Sequence, residues 1–571
     1  MRWVVARWLA VGAISLSLSA APAVIEAQVR LSAPVAESNI AEPARLAQPE
    51  GIAPLTSTAE IRTIIERGRV LETERRWGEA LTVYEDALRN FPRDPDLTQR
   101  FNVARIHYDL ARRYSDVSFR DAIAQLPASQ ALEQLGEVLL KVQSHYVDTP
   151  NWAQFVNSGT AAFDRALIDA VFVERHLSQT PSAKINDFRR VLHDALDTYG
   201  GSTRVDSRQR AIDAVATAAR MAREHLALPE TVTILEYVSG IASSLDPYST
   251  YLTPAQLNEV YSQIEGNFVG LGVELKASNG SLLIVKVIPN SPADRAGIRA
   301  NDRIVAVDGH NTSDLSTDQA ANMLQGKEGT MVDVTVVSPG FQPRALRVRR
   351  EQVEVPSVDQ VKVIDPANGI GYLRITCFQK TTSRDMDAAL WKLNREGMRS
   401  LIIDLRGNPG GLLTSSVDLV DKFVDTGIIV STRGRSPQED YNYQAHQAGT
   451  WRVPLVVLID GDSASASEIF AGAIRDHRRG TIVGSRSYGK GSVQGIFPLA
   501  VGNAGLRLTT AKFYSPNGHP YSQVGVSPDV AVQEVAKPVT NNNHTGEILN
   551  QVADSALEAA KNVARRTVAR R

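Results

Sequence analysis

A chain of 571 residues is too long for a single hydrophobic core, and its length alone sets an expectation of about three or four domains. Its 62 Lys and Arg stand against 63 Asp and Glu, so a net charge of −1 gives no reason to expect nucleic acid as a main partner; 43% hydrophobic and 22% charged residues are ordinary for a globular protein. The single cysteine, Cys377, excludes an intrachain disulfide and a cysteine-built metal site, and its apolar-leaning surroundings at 371–378 suit a buried, inert thiol.

At the amino end, Arg2 and Arg7 flank a short basic region, and residues 8–24 are apolar or small with no charge. Ala21-Pro22-Ala23 and Ile25-Glu26-Ala27 are candidate cleavage sites, so 1–27 reads as a secretory signal peptide. An uncleaved membrane anchor is the alternative. The Ala/Ser-rich composition, and a length short of the roughly 20 strongly apolar residues of a good span, favour cleavage. The protein is therefore expected to be exported, periplasmic or extracellular, with membrane association through an uncleaved segment left open. Residues 28–56, rich in Ala, Pro and Ser, read as a linker.

A helical region follows at 57–130, and 61–95 within it reads as a helical hairpin. Small Gly68 and Ala80 let two helices approach, Tyr84 and Ala87 fill the seam, Pro92 stops the second helix, and Leu71 falls at a further position of the pattern. In these positions the segment resembles a tetratricopeptide repeat. A lone repeat cannot bury its own face, so helices over 97–115 and 119–126 are expected to cover it. Residues 131–257 read as mostly helical with an insertion near 165–230; Leu132, Leu135, Val138, Leu139 and Val142 follow amphipathic spacing. The stretch closes on the LDPYSTYLTP run at 245–254.

From 258 to 350 the pattern changes to short β-type runs at 269–276, 282–288, 303–307 and 332–338, interrupted by a helix over 316–325. The core is assigned to 351–535, and from 368 to 535 strands and helices alternate: strands at 369–375, 401–405 and 455–460, with helices near 382–395, at 414–424 and from about 466. That alternation argues an α/β core. The tail at 536–571, Ala-rich and basic beyond 545, reads as a terminal helix.

Three segments carry the chemistry: DLRGNPGG at 404–411, SASASE at 463–468 and YGKGSVQ at 488–494. The serines follow an apolar strand and precede an apolar-periodic helix, a junction that presents a hydroxyl beside backbone N–H groups suited to an oxyanion. Alone, Ser463, Ser465 and Ser467 are equally well read as helix caps. Lys490 lies between two glycines that permit close backbone approach. It serves as a base only when neutral, which requires a desolvated pocket that lowers a pKa ordinarily near 10.4. Gln494, four residues on, can orient the amine through its amide oxygen without adding the negative charge that would hold the lysine protonated. Gly410 or Gly411 could aim an N–H at the oxyanion that the Ala466 N–H reaches. Asp476 and His477 invite a Ser–His–Asp reading, but 12 residues of helix at about 1.5 Å each place His477 about 18 Å from Ser465 along the axis.

In combination these segments, with the 245–252 run and the VGVSPD run at 524–529, closely resemble the carboxyl-terminal processing peptidases, a family of serine proteases. The resemblance covers about 131–535. It implies a crotonase-like core, Ser465 as nucleophile and Lys490 as base at the family's spacing of 25 positions, with Gln494 and the Ala466 amide mapping directly. Asp462 stands where the family more often has a small or polar residue, and the hairpin and the insertion are not usual parts of the family core. Residues 258–350 resemble a PDZ domain. Gly270-Leu271-Gly272-Val273 fits its carboxylate-holding loop, and 291–298 and 302–304 fit the turn and strand that follow. Such a site adds a peptide as an extra strand and captures its terminal carboxylate.

The sequence thus describes a multidomain α+β protein: a helical N-terminal region, a PDZ domain and an α/β crotonase-like protease core. The expected function is exported serine endopeptidase acting through a Ser/Lys dyad, needing no metal or cofactor, on proteins or peptides engaged by their C-termini. The hairpin is a candidate surface for a protein partner, and a homo-oligomer stays open. The alternative is a catalytically idle scaffold of PDZ and tetratricopeptide-like parts.

Overall fold

The structure, a computed structural model, describes residues 13–15, 55–200, 205–278, 281–314, 323–446, 449–532 and 554–569. Most of the expected signal peptide and linker, residues 316–322 of the expected 316–325 helix, and the tail before 554 lie outside the described residues.

Helices α1 (Leu55–Thr73) and α2 (Trp77–Asn90) form the hairpin, and α3 (Pro95–Ser115) covers it. The close approach is literal: a Cβ on Gly68 would lie 2.2 Å from the Tyr84 ring. Tyr84 is buried in the seam with Ala80 and Ala87, and its hydroxyl donates to Glu72. Leu97 and Ala104 of α3 close this small core. The next helix, Val117–Gln125, does not cover the hairpin as expected; its Phe119 joins the larger core built by the helices from Ala128–His145 to Glu230–Leu245. The insertion supplies Ala170–His176, Ser182–Gly200 and Arg208–Leu226 to that same core.

The protease core has two six-stranded sheets among the described residues. The first runs Val358–Asp365, Ile370–Ile375, Ser400–Asp404, Leu455–Ile459, Gly480–Gly484, Val530–Ala531, parallel after its first antiparallel pair. Helices Thr382–Arg395, Leu413–Asp421 and Ala466–Asp476 cover one face, and the terminal helix Ser555–Ala569 covers the other. Burial on both faces explains why the Ser400–Asp404 and Leu455–Ile459 strands are continuously apolar or nearly so.

The second sheet centres on Ser492–Pro498 and Gly505–Tyr514, extended by Ile428–Gly434 and Tyr441–Gln444 and flanked by Thr250–Leu252. The backbone of Ala13–Ser15 runs parallel to Ser492–Pro498, with Ile14 opposite Gln494.

The PDZ region begins later than residue 258. Helix Pro254–Glu265, started by a Thr253–Gln256 capping box, packs through Leu257, Val260 and Ile264 onto Leu412 and Ile496 of the protease core. A two-stranded ribbon, Asn267–Gly270 with Glu351–Glu354, then leads into and out of a five-membered main path of strands from Val273–Ser278 to Arg344–Arg349. The apolar run expected at 269–276 is therefore broken at Leu271 and Gly272, where the chain leaves the ribbon and enters the sheet.

Candidate active site

The Leu455–Ile459 strand ends in a turn that Asp460 organises: its Oδ1 accepts from the N–H groups of Asp462, Ser463 and Gly407, each at 3.0 Å. The chain then enters helix Ala466–Asp476 through Ser465, whose φ of 56° and ψ of −112° are strained for a residue with a side chain. Ser463 and Ser467 do structural work. The Ser463 hydroxyl donates to Leu405 O (2.9 Å) and the Ser467 hydroxyl to Asn408 O (3.0 Å), so both tie the serine segment to the 404–411 turn. Ser465 is 0% exposed.

The two glycines of that turn are needed for different reasons. Gly410 has φ of 104°, and a Cβ there would lie 2.9 Å from Ser465 Cβ and 3.0 Å from Ala466 N. A side chain would fill the space in front of both. Gly411 passes so close to the neighbouring chain that a Cβ would lie 2.0 Å from Phe378 O. The Gly410 N–H is not aimed at that space: it donates to Asn408 Oδ1 at 2.9 Å, while Asn408 Nδ2 donates to Ile375 O. Gly410 thus serves the site by lacking a side chain, and the expectation that its N–H meets an oxyanion is corrected by this internal bond.

The residue that joins the segments is one the sequence reading left without a role. Glu468, in the first turn of the helix and 0% exposed, accepts from the Ser465 N–H and the Lys490 N–H on the same oxygen, Oε2, at 2.8 Å each. Its other oxygen accepts from the Gly489 N–H (2.7 Å) and the Ser487 hydroxyl (2.6 Å). Burial pushes this carboxyl up to about 7, against the pull of the four donated bonds. The Ser465-x-x-Glu468 spacing is that of a capping box, which marks the residue in sequence as a cap but not as a bridge to Lys490.

Lys490 is 1% exposed. Burial drives its pKa well below the ordinary lysine value and the Arg507 guanidinium pushes the same way, opposed by Asp246 and Glu468. Its Nζ lies 4.3 Å from the centroid of the Tyr248 ring. Tyr248 belongs to the 245–254 run, whose purpose is now visible. Asp246 Oδ1 accepts from the N–H groups of Tyr248 (2.7 Å) and Ser249 (2.9 Å) and from Thr509 Oγ1 (3.1 Å), and Arg507 Nε donates to Tyr248 O (3.0 Å). The turn holds an aromatic wall against the lysine.

Gln494 is fully buried on the Ser492–Pro498 strand, and its Nε2 donates to Ser492 Oγ (2.9 Å) and Thr509 Oγ1 (3.3 Å). Its Oε1 is buried without a partner among the described residues, so the expected bond to the Lys490 amine is not made. A buried acceptor left open costs about 1–3 kcal/mol, which a bound group or a rotated lysine amine would recover. His477 and Asp476 are engaged elsewhere, His477 Nε2 with Ile428 O (2.7 Å) and Asp476 with the Asn517 N–H (3.2 Å). Cys377 is partly buried and burial pushes its thiol up to about 11, an inert group.

In the PDZ region Gly270 closes the ribbon, Leu271 is buried in the domain core, and Val273 opens a strand at the edge of the sheet. Gly272 has φ of 81°, and a Cβ there would lie 2.3 Å from Ser291 Cβ. The Leu271 and Gly272 carbonyls accept from the Ala293 and Ile288 N–H groups, each at 2.9 Å.

Peptidase family S41 matches residues 369–532, which contain all three chemical segments, and the PDZ domain model matches 283–338; the α1–α3 hairpin lies outside both. Over 322 residues the chain is 37% identical to the carboxy-terminal-processing protease of Bartonella bacilliformis, covering 55% of this chain and 73% of that one. It is 33% identical over 300 residues to a probable CtpA-like serine protease of Staphylococcus epidermidis, covering 52% of this chain and 60% of that one. Among solved structures it is similar to a photosystem II D1 C-terminal processing protease, 26% identical, covering 70% of this chain and 93% of that one with a TM-score of 0.36.

Proposed function

Because the chain belongs to the carboxy-terminal-processing proteases of peptidase family S41 and is a serine protease, we propose that Ser465 is its nucleophile, Lys490 its general base, and exported polypeptides its substrates. The observation that carries this reading is the shared bond to Glu468 Oε2, which brings the backbones of Ser465 and Lys490 together although 25 positions separate them in the chain.

Neutral Lys490 Nζ takes the proton from Ser465 Oγ as Oγ attacks a peptide carbonyl. The oxyanion forms in the space kept clear by Gly410, against the Ala466 N–H and, in this proposal, the Gly411 N–H. The lysine ammonium returns its proton to the leaving amine, and water then cleaves the acyl-enzyme. Burial and Arg507 favour the neutral lysine that the first step needs. The strand position occupied by Ala13–Ser15 beside Gln494 supports substrate binding as an extended chain on that sheet edge. The edge strand Val273–Ser278 supports capture of a substrate C-terminus by the PDZ domain. Export rests on Arg2, Arg7 and the uncharged 8–24 segment.

The test is labelling by an acylating probe read by intact mass, together with cleavage of an unfolded protein. Ser465→Ala is expected to abolish labelling, and Ser465→Ala and Lys490→Ala each to lower cleavage by about 10³-fold or more without adding in the double variant. Substantial cleavage by Lys490→Ala would remove the lysine as base. No labelling and no cleavage by the wild type would favour a scaffold.

A further inference from the structure

The α1–α3 hairpin lies outside both family matches, and the structure brings it into contact with Asp462, just before the serine segment. Glu85 and Arg89 are four residues apart on α2 and so share one face. The Arg89 guanidinium reaches Asp462 Oδ1 at 3.5 Å, three residues before Ser465. It also lies 4.9 Å from the centroid of the Tyr488 ring, two residues before Lys490. Glu85 Oε1 accepts from the Tyr488 hydroxyl at 2.8 Å. One helix face therefore holds the loop that enters Ser465 and the loop that enters Lys490, and these loops are themselves linked by the Tyr488 N–H donating to Ser463 O at 3.0 Å.

The opposite face of α2 gives this contact a rigid base, because Ala80, Tyr84 and Ala87 are buried against α1 and α3. Tyr488 in turn neighbours Tyr248, whose ring walls Lys490. The route from α2 to the lysine is thus Glu85, Tyr488, Tyr248, Lys490.

We propose that α2 is a built-in clamp on both catalytic loops, with Glu85 and Arg89 as positioning residues that hold Tyr488 and Tyr248 closed over Lys490 and keep water from it. The proposal rests on the Ser465/Lys490 reading. It assigns the hairpin a task within this chain's own active site. The pair Arg89–Asp462 is half-exposed, 33% and 51%, so its electrostatic contribution is small and its value is geometric. Glu85 contributes more, because it is a direct hydrogen-bond acceptor of the part-buried Tyr488 hydroxyl.

The clamp predicts a signature that a merely structural contact lacks. The charged groups facing Lys490 are Arg507, Asp246 and Glu468, with Tyr248 as the titratable ring; none lies on α2. Loosening α2 therefore changes the lysine by hydration, not by removing a facing charge. Water admitted to the pocket raises the lysine pKa, so the pH at which activity appears moves upward.

The experiment uses the full chain and a short quenched peptide, with kcat, KM, Tm and the pH dependence of kcat/KM recorded. Glu85→Ala is expected to lower kcat at neutral pH about tenfold with KM within about twofold, and to move the acid limb to higher pH. Asp462→Lys, which faces Arg89 with a like charge, is expected to do the same about threefold, and Arg89→Glu combined with Asp462→Lys to restore kcat and the limb. Asp462 is exposed, so the swap decides the matter if Glu85→Ala does not fold. Unchanged kcat and an unmoved limb in Glu85→Ala and Asp462→Lys, with Ser465→Ala inactive, would overturn the clamp and leave the dyad standing. Cleavage surviving in Ser465→Ala would overturn the dyad and the clamp with it.

Discussion

The turn at 407–411 and the turn at 270–273 each bring backbone to a place where a substrate group is proposed to sit, and they are secured in different ways. The core turn is held by side chains from three directions: Asp460 takes the Gly407 N–H, Asn408 binds Ile375 O and the Gly410 N–H, and Ser467 returns to Asn408 O. The PDZ turn is tied through its carbonyl oxygens, to Ala293 and Ile288, and borders a strand that ends the sheet among the described residues. Chemistry needs groups fixed before the substrate arrives, since reorganisation during the reaction costs rate. Strand addition needs the reverse, a backbone edge left for an incoming chain. Damage to the first turn and its partners should therefore affect every substrate, and damage to the second only those that arrive by their C-termini.

The largest expected effect comes from the carboxylate that unites the core site. In Glu468→Gln an amide N–H₂ replaces one of the oxygens that accept from Ser465, Gly489, Lys490 and Ser487, setting donor against donor. A loss of about 10²-fold in kcat is expected for long and short substrates alike. Stability carries a second signature. Burial raises the folded carboxyl from 4.5 to about 7, so its contribution to stability is fully present below 4.5 and is lost as pH rises through about 7. Melting curves across that window should show the loss in the wild type and not in Glu468→Gln. Full activity in the variant would break the idea that the core turn and its neighbours work as a preorganised unit.

A smaller and more selective effect is expected from Arg507. Its charge adds to burial in lowering the Lys490 pKa. Arg507→Gln removes that charge, the lysine binds its proton more tightly, and the acid limb of kcat/KM moves to higher pH, lowering the rate at a fixed pH below the midpoint. Arg507→Lys, which keeps a charge, should move it less. A limb that stays in place would assign the titration to another group.

The smallest effect, and the one that sharpens the contrast, belongs to the PDZ turn. Gly272→Ala puts a side chain at φ of 81°, 2.3 Å from Ser291 Cβ. Cleavage of proteins with a free C-terminus should fall about three- to tenfold, and cleavage of short peptides should stay unchanged. Equal losses for both would mean that the domain gates the core site instead of delivering substrate to it.

Much of this molecule was legible along the chain. The apolar strands ending at Asp404 and Ile459, the helix from Ala466, the Gly68–Tyr84 seam and the cluster of serine, lysine and glycine turns are written in spacings of a few residues, the range over which strand and helix periods and turn chemistry operate. Three things were not. The strand break at Leu271 and Gly272 lay hidden in a run of uniform β character. Glu468 reads locally as a cap, and only the fold lays its second oxygen under Gly489 and its first under Lys490. Tyr248 against Lys490, and Arg89 against Asp462, join segments hundreds of residues apart. No local period encodes such pairs; they exist because two sheets and a helical layer close around one point. The sequence by itself singled out the groups proposed to do the chemistry. The tertiary structure decided which of them meet, because a side chain's neutrality, its hydrogen bonds and its access to water depend on neighbours that arrive from elsewhere in the chain.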